Sequence, residues 1–329
     1  MAALSDAAAP AIRFSPSAMD TFRGCPARFW LERHPDAGSG VLPVDDTAAL
    51  LGSALHAALM AYQRRLAQPG LAGDDALAVL RSLVRRALFG HHLEPSLPAV
   101  AERLRRAAPG LRRLALELPA EQPVWAEEGG HPLVWVEPWL DHGPGQPAVE
   151  LAPGVIAATR PDVIGLRRQT NGRLRVVVRD YKVRGHLVEP LWDWGILVRA
   201  IWALLEGNRP RCRWFLAGRD RAVAGDAVEV ETVNVLFGQD ERFVVRQQLT
   251  AGLLAARRTE ALALLAEMAT VEGTTALADV PASPGELCQR WCGVLHRCPA
   301  GQAHVRQYAG PEVLAARLAD VPSMVANRG

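Results

Sequence analysis

Arg160-Pro-Asp-Val-Ile-Gly-Leu166 and Leu174-Arg-Val-Val-Val-Arg-Asp-Tyr-Lys182 lie on either side of Thr170-Asn-Gly172. Both runs are apolar and rich in β-branched residues, and Asn-Gly is a strong turn signal, so the stretch reads as two strands joined by a turn. That pairing would set Asp162, at the start of the first strand, beside Asp180, at the end of the second. Two carboxylates that converge without Cys make a hard oxygen site suited to Mg2+ or Mn2+. In Asp180-Tyr-Lys182 the spacing of two puts carboxylate and amine on one face of an extended strand. The amine can then reach the phosphate and attacking water that a metal would hold. Alone, Asp-x-Lys equally describes a surface ion pair at a strand end. The apolar strand before it and an aspartate one hairpin earlier favour chemistry.

Composition singles out the same position. Of 37 basic residues one is lysine, Lys182, and all the rest are arginine. Lys and Arg replace each other on most surfaces, but not where a compact amine is needed. Net charge is +2, so any nucleic-acid site must be a local groove rather than a coat of basic residues. Arg103, Arg105, Arg106, Arg112 and Arg113, and the alternating Arg209, Arg211 and Arg213, are candidate basic stretches. Each by itself reads as a solvated face.

Outward from the hairpin, the chain is helical, then strand-rich, then helical again. Helices are expected from Ser15 to about His34, Thr47 to Ala67, Asp74 to Phe89 and Ser96 to Leu118. Residues 35–46, rich in Gly, Pro and Asp, read as a loop. Strands follow at Leu133–Glu137, Ala148–Leu151, Val155–Thr159, Val163–Leu166 and Leu174–Asp180. A helix at Leu191–Leu205 closes on Gly207, strands recur near Arg213–Leu216 and Ala227–Val235, and a long helix spans Gln239–Met268. This order predicts an α/β core with helices appended at both ends.

No apolar run reaches the roughly 18 residues of a membrane span. Met1–Ile12 lacks a basic n-region ahead of an apolar stretch, so no secretory signal and a cytoplasmic location are expected. Clustered cysteines there suggest a metal or cluster site before disulfides. Three of the five, Cys288, Cys292 and Cys298, cluster near the C-terminus, while Cys25 and Cys212 stand apart. Gly52 and His56 are four apart on a predicted helix and share a face, where the glycine would let another element approach closely. A lone helical histidine is more often core or surface than ligand. His91, His92, His131 and His142 form no usable spacing, and Trp192 and Trp194 read as packing or as base-stacking surfaces.

Taken in order, Ser15-Pro-Ser17, Cys25-Pro26, Gly52 to His56, Asp162, Asp180-Tyr-Lys182 and the cysteine trio resemble the RecB-like branch of the PD-(D/E)XK nucleases. That branch includes AddB-type helicase–nuclease subunits and CRISPR adaptation nucleases, and the match runs from about residue 13 to 299. The resemblance implies a restriction-endonuclease-like mixed sheet flanked by helices, in a single nuclease domain over 1–329. Within it fall an N-terminal Cys-bearing helix (13–34), a helical segment (47–120), a catalytic core (123–238) and a C-terminal helix with the Cys cluster (239–329). It implies that His56, Asp162, Asp180 and the Tyr181 backbone carbonyl hold Mg2+ or Mn2+ and that Lys182 serves the scissile phosphate. It implies a [4Fe–4S] cluster on Cys25, Cys288, Cys292 and Cys298, with Zn2+ as the alternative, joining the N- and C-terminal segments. Cys212 reads as a packed thiol.

The implied activity is hydrolysis of DNA, as an exonuclease on single-stranded ends, in repair or recombination. No P-loop pattern is present, since the one lysine is Lys182, so a helicase motor would be a separate partner. Two departures stand out. The family usually carries Gln on the helix after Asp-x-Lys, where this chain has Trp194 and Gly195. Cys288 and Cys292 have three residues between them rather than the commoner two. The rival readings are a non-catalytic DNA-binding or assembly module and a zinc-stabilised scaffold.

Overall fold

The computed structural model describes residues 12–34, 47–66, 74–121, 127–128, 131–136, 149–152, 154–157, 159, 161–185, 187–204, 226–290 and 292–319. Along these residues the strands are β1 (Ile12–Phe14), β2 (Glu127–Glu128), β3 (His131–Pro132), β4 (Val134–Val136), β5 (Val149–Ala152), β6 (Val155–Ala157), β7 (Val163–Arg168), β8 (Leu174–Lys182), β9 (Ala227–Asn234) and β10 (Val244–Thr250). The helices are α1 (Pro16–Gly24), α2 (Pro26–Arg33), α3 (Thr47–Leu66), α4 (Asp74–Gly90), α5 (Pro98–Glu121), α6 (Trp194–Leu204), α7 (Ala251–Glu272), α8 (Glu286–Arg290), α9 (Pro299–Tyr308) and α10 (Pro311–Ala319). Two compact units result: Met1–Pro16 with Thr47–Thr259, and Ser17–Asp46 with Glu260–Gly329. Among the described residues no helix is long and apolar enough to cross a membrane.

The first unit is built on a five-stranded mixed sheet of order β10-β9-β8-β7-β4, beside a three-stranded sheet β1-β6-β5. Strand β8 is its centre, and every residue from Leu174 to Tyr181 is buried, as its continuous apolar run requires. It pairs antiparallel with β7 and parallel with β9. The β7–β8 hairpin closes as the sequence predicts: Gly172 has φ 78°, and the Asn171 carboxamide oxygen accepts from Arg173 N at 3.0 Å. Helices α3, α4 and α5 turn Leu55, Leu59, Leu80 and Leu114 onto one face of the sheet, against Val163, Tyr181 and Val233. Burying each such aliphatic side chain is worth about 1.5–3 kcal/mol. Helix α6 packs against β8, β9 and β5. At Gly110 helix α5 meets the turn after β9 backbone to backbone, and an added Cβ would lie 2.1 Å from Val235 O.

Two expectations are corrected. The helix expected over Ser15–His34 breaks into α1 and α2 at Cys25, which is extended (φ −164°, ψ 104°). Pro26 follows it, and proline disfavours helical backbone in the residue before it. The helix expected over Gln239–Met268 begins only at Ala251, because Val244–Thr250 forms edge strand β10, antiparallel to β9. Val-Val-Arg-Gln-Gln-Leu satisfies either period, and β9's open edge decides it. The strand expected near Arg213–Leu216, the cap at Gly207 and Cys212 lie outside the described residues.

The second unit has its own core, formed by Trp30, Leu31, Val280, Leu295, Val305 and Leu314. Trp30 Nε1 donates to Thr274 O at 2.8 Å, and the Arg297 guanidinium donates to Leu31 O and His34 O at 3.1 and 2.7 Å.

Candidate active site

Hairpin register, helix α3 and helix α6 build the site from three sides. Val163 pairs with Arg179, and extending that register by one residue sets Asp162 opposite Asp180. Both aspartates are buried. Asp162 Oδ2 accepts from Tyr181 N at 2.7 Å, and its Oδ1 lies 2.9 Å from His56 Nε2 of α3. Lys182, two residues beyond Asp180 on the same strand face, brings Nζ to 2.5 Å from Asp180 Oδ2. Gln63, one helical face along α3, donates to the Tyr181 hydroxyl at 2.5 Å and steadies the residue between them. These groups line a cleft of about 890 Å3 whose wall also carries Gly52, Ser53, Arg64, His91 and Arg184.

The sequence model of the PD-(D/E)XK nuclease superfamily matches residues 13–299. The chain belongs to that superfamily. No curated protein matches it.

The candidate motif residues of this PD-(D/E)XK protein, Asp162 with Asp180-Tyr-Lys182, sit in uneven electrostatics. Burial, then the neighbouring Asp180 charge, pushes the Asp162 carboxyl up, against the pull of His56. Burial acts on Asp180 in the same direction but is outweighed by the Lys182 and Arg199 charges, which hold its carboxyl well below the usual range. Lys182 is raised, because Asp180 and Asp193 outweigh the desolvation of its amine. PD-(D/E)XK nucleases typically use Mg2+ or Mn2+. The donor chemistry suits such an ion: two buried carboxylates and an imidazole facing an open cleft. Among the described residues no three His, Cys, Asp or Glu side chains form a ready-made ligand shell.

Two members of the site escaped the sequence reading. Asp193 Oδ2 lies 2.7 Å from Lys182 Nζ, and Arg199 pairs through Nη1 with Asp180 Oδ1 and donates from Nε to Thr159 Oγ1 at 3.0 Å. A signal for each existed. Asp193 stands at the N-cap of α6, and Arg199 is the one charged residue in Trp-Gly-Ile-Leu-Val-Arg-Ala-Ile-Trp-Ala-Leu. Gly52 differs from expectation: nothing lies within 4 Å of where its Cβ would be, so it opens the cleft wall rather than admitting another element. Trp194 is buried, whereas Trp192 is 61% exposed.

In the second unit, Cys25, Cys288, Cys292 and Cys298 all line one cavity of about 260 Å3. None of the four is in a disulfide. Burial pushes the Cys292 thiol up to about 11 and raises Cys298 as well. Cys298 caps α9, its Sγ accepting from Gly301 N at 3.3 Å. A Cβ at Gly301 would touch Cys298 Sγ and Cys288 Sγ at 3.4 and 3.6 Å, which places this first turn of α9 directly against two of the sulfurs.

Proposed function

We propose that this chain is a divalent-metal-dependent deoxyribonuclease that degrades single-stranded DNA from its ends. The observation that carries the reading is the placing of Asp162 opposite Asp180, with the Lys182 amine beside them on an open cleft. His56, Asp162, Asp180 and the Tyr181 carbonyl would hold Mg2+ or Mn2+, which when bound polarises a phosphoryl oxygen and acidifies the attacking water. Lys182 offers an N–H to a non-bridging phosphate oxygen and offsets the charge that builds there. The Tyr181 amide fixes the Asp162 carboxylate through Oδ2, while its Oδ1 lies beside His56 Nε2, where both would turn to an incoming ion. Arg64 and Arg184 on the cleft wall contact the sugar–phosphate backbone without regard to sequence. Exposed Trp192, with the Arg257 guanidinium 6.0 Å from its ring, offers the kind of stacking surface that unpaired bases use.

The four cysteines serve a [4Fe–4S] cluster, with Zn2+ as the alternative. Four thiols around one cavity support either, because ligand thiolates form as the metal displaces their protons. The chain works as one nuclease domain in the cytoplasm, in DNA repair or recombination, beside a separate helicase.

The test is degradation of end-labelled single-stranded DNA with Mn2+, for wild type, Asp180→Ala and Lys182→Ala in parallel. Wild type should cleave and both variants should not; a wild type that binds DNA without cutting it sinks the enzyme reading. That outcome would favour an assembly or DNA-binding subunit, for which the pairing of both Asp180 oxygens with Lys182 and Arg199 speaks. Anaerobically purified protein should be coloured, and Cys288→Ser should remove the colour; colourless protein with stoichiometric Zn2+ would assign zinc instead.

A further inference from the structure

Asp193 touches both the helix that carries it and the lysine of the motif. Its Oδ1 accepts from Ile196 N at 3.1 Å and so caps the first turn of α6, while Oδ2 reaches Lys182 Nζ at 2.7 Å. The Lys182 ammonium is therefore held between two carboxylates, Asp180 at 2.5 Å and Asp193 at 2.7 Å. Asp193 is 5% exposed, so its ion pair with Lys182 is shielded from water. An ammonium has three N–H donors, so two neighbouring carboxylates leave at least one to be aimed.

Gly195 makes the arrangement possible. A Cβ there would lie 2.8 Å from Asp193 Oδ1, so a side chain at 195 would push the Asp193 carboxylate out of the place from which it caps the helix and reaches the lysine. The glutamine expected on this helix is thus not simply missing. The position is kept bare for a carboxylate two residues earlier.

We propose that Asp193 is a positioning residue for Lys182, orienting its amine so that the third N–H points at the scissile phosphate, with Gly195 reserving the space. The proposal rests on the nuclease reading for its purpose but can be tested apart from it, because Lys182 is the one lysine of the chain. An amine-acetylating reagent in limiting amount therefore reports on this side chain alone, with the α-amino group as internal reference. Asp193→Asn keeps a helix cap and the side chain's size but removes the charge. It should speed acetylation of Lys182 about tenfold relative to the α-amino group, the size expected for losing one charge-assisted contact. The melting temperature should barely change, and kcat on single-stranded DNA should fall about tenfold or more with KM unchanged. Gly195→Ala, which crowds Asp193 without touching its charge, should move both readouts the same way and serves if Asp193→Asn fails to fold.

An unchanged acetylation rate overturns the proposal. So does an accelerated rate with kcat unchanged or raised, which would make Asp193 a competitor for the amine rather than its guide. Wild-type protein that cuts no DNA at all overturns the nuclease reading and with it the purpose assigned to Asp193, while the acetylation rate still decides whether Asp193 holds the amine.

Discussion

Strand β8 carries two buried charge networks on its opposite faces, and they are built to different ends. Arg179 points to one face, where Glu231 of β9 takes Arg179 Nε at 2.6 Å, Arg167 Nη2 at 2.8 Å and Arg246 Nε at 2.8 Å. Asp180, the next residue, points to the other, among Lys182, Arg199 and, through Lys182, Asp193. In the Arg179 network a wholly buried glutamate is ringed by arginines whose planar donors satisfy it. In the Asp180 network three carboxylates (Asp162, Asp180 and Asp193) face two cations, and Asp162, Asp180 and Lys182 open onto a cleft. One is a closed set that holds β7, β8, β9 and β10 in register. The other is left incomplete on the side where a divalent ion and a phosphate would enter. Burial of charge is common to both, so openness to a cleft is what sets the candidate site apart.

The sharpest break of this comparison is Asp180→Ala, which should lower DNA cleavage at least about 10³-fold, as loss of a group that holds transition-state charge does. Cleavage is read per folded molecule, since the variant also unpairs Lys182 and Arg199, and a folded variant that still cuts would erase the distinction between the faces. Next is Glu231→Gln. Burial pushes Glu231 up, but Arg179 and Arg167 outweigh it and hold its carboxyl at about 2, below its ordinary 4.5. A depressed carboxylate gives stability that is fully present above its unfolded value and is lost as pH falls through the folded one. Wild type should therefore lose about 3 kcal/mol between pH 4.5 and 2 from this group, and Glu231→Gln should be weaker by a similar amount at neutral pH with a flatter acid limb. Urea unfolding across that range measures it, while the rate of cleavage per folded molecule should not move.

Arg246→Ala trims the same network at its exposed end, where the side chain is 49% accessible, and should cost less than about 1 kcal/mol. Smallest of all, Arg105→Ala removes an exposed pair with Glu102 on α5 and should leave the melting temperature unchanged. A drop as large as that of Glu231→Gln would mean that burial does not rank these contacts.

The hairpin and its two aspartates were legible because alternation and turn chemistry are local: Asn171-Gly172 fixes the turn, and the turn fixes which residue faces which. The break at Cys25 was equally local, written in Pro26, but the continuous helical pattern on either side masked it. Val244–Thr250 was not legible, because its partner lies on a strand whose open edge no local pattern reveals. Asp193 and Arg199 show the same limit at the site. Each could be noticed as a cap or a stray charge, but their meeting with Lys182 and Asp180 depends on where α6 lands. Gly52 was misjudged for the converse reason, since a glycine signals that space is needed without saying what will use it.

That landing follows from strand direction. Because β8 and β9 run side by side in parallel, the chain leaving Lys182 must climb back along the sheet before β9 can start, and α6 lies on that return path over β8 and β9. Topology therefore delivers the opening turn of a helix to the lysine whatever its residues are. The sheet supplies the address of that turn, and the residues written there, Asp193 and Gly195, decide what meets the lysine.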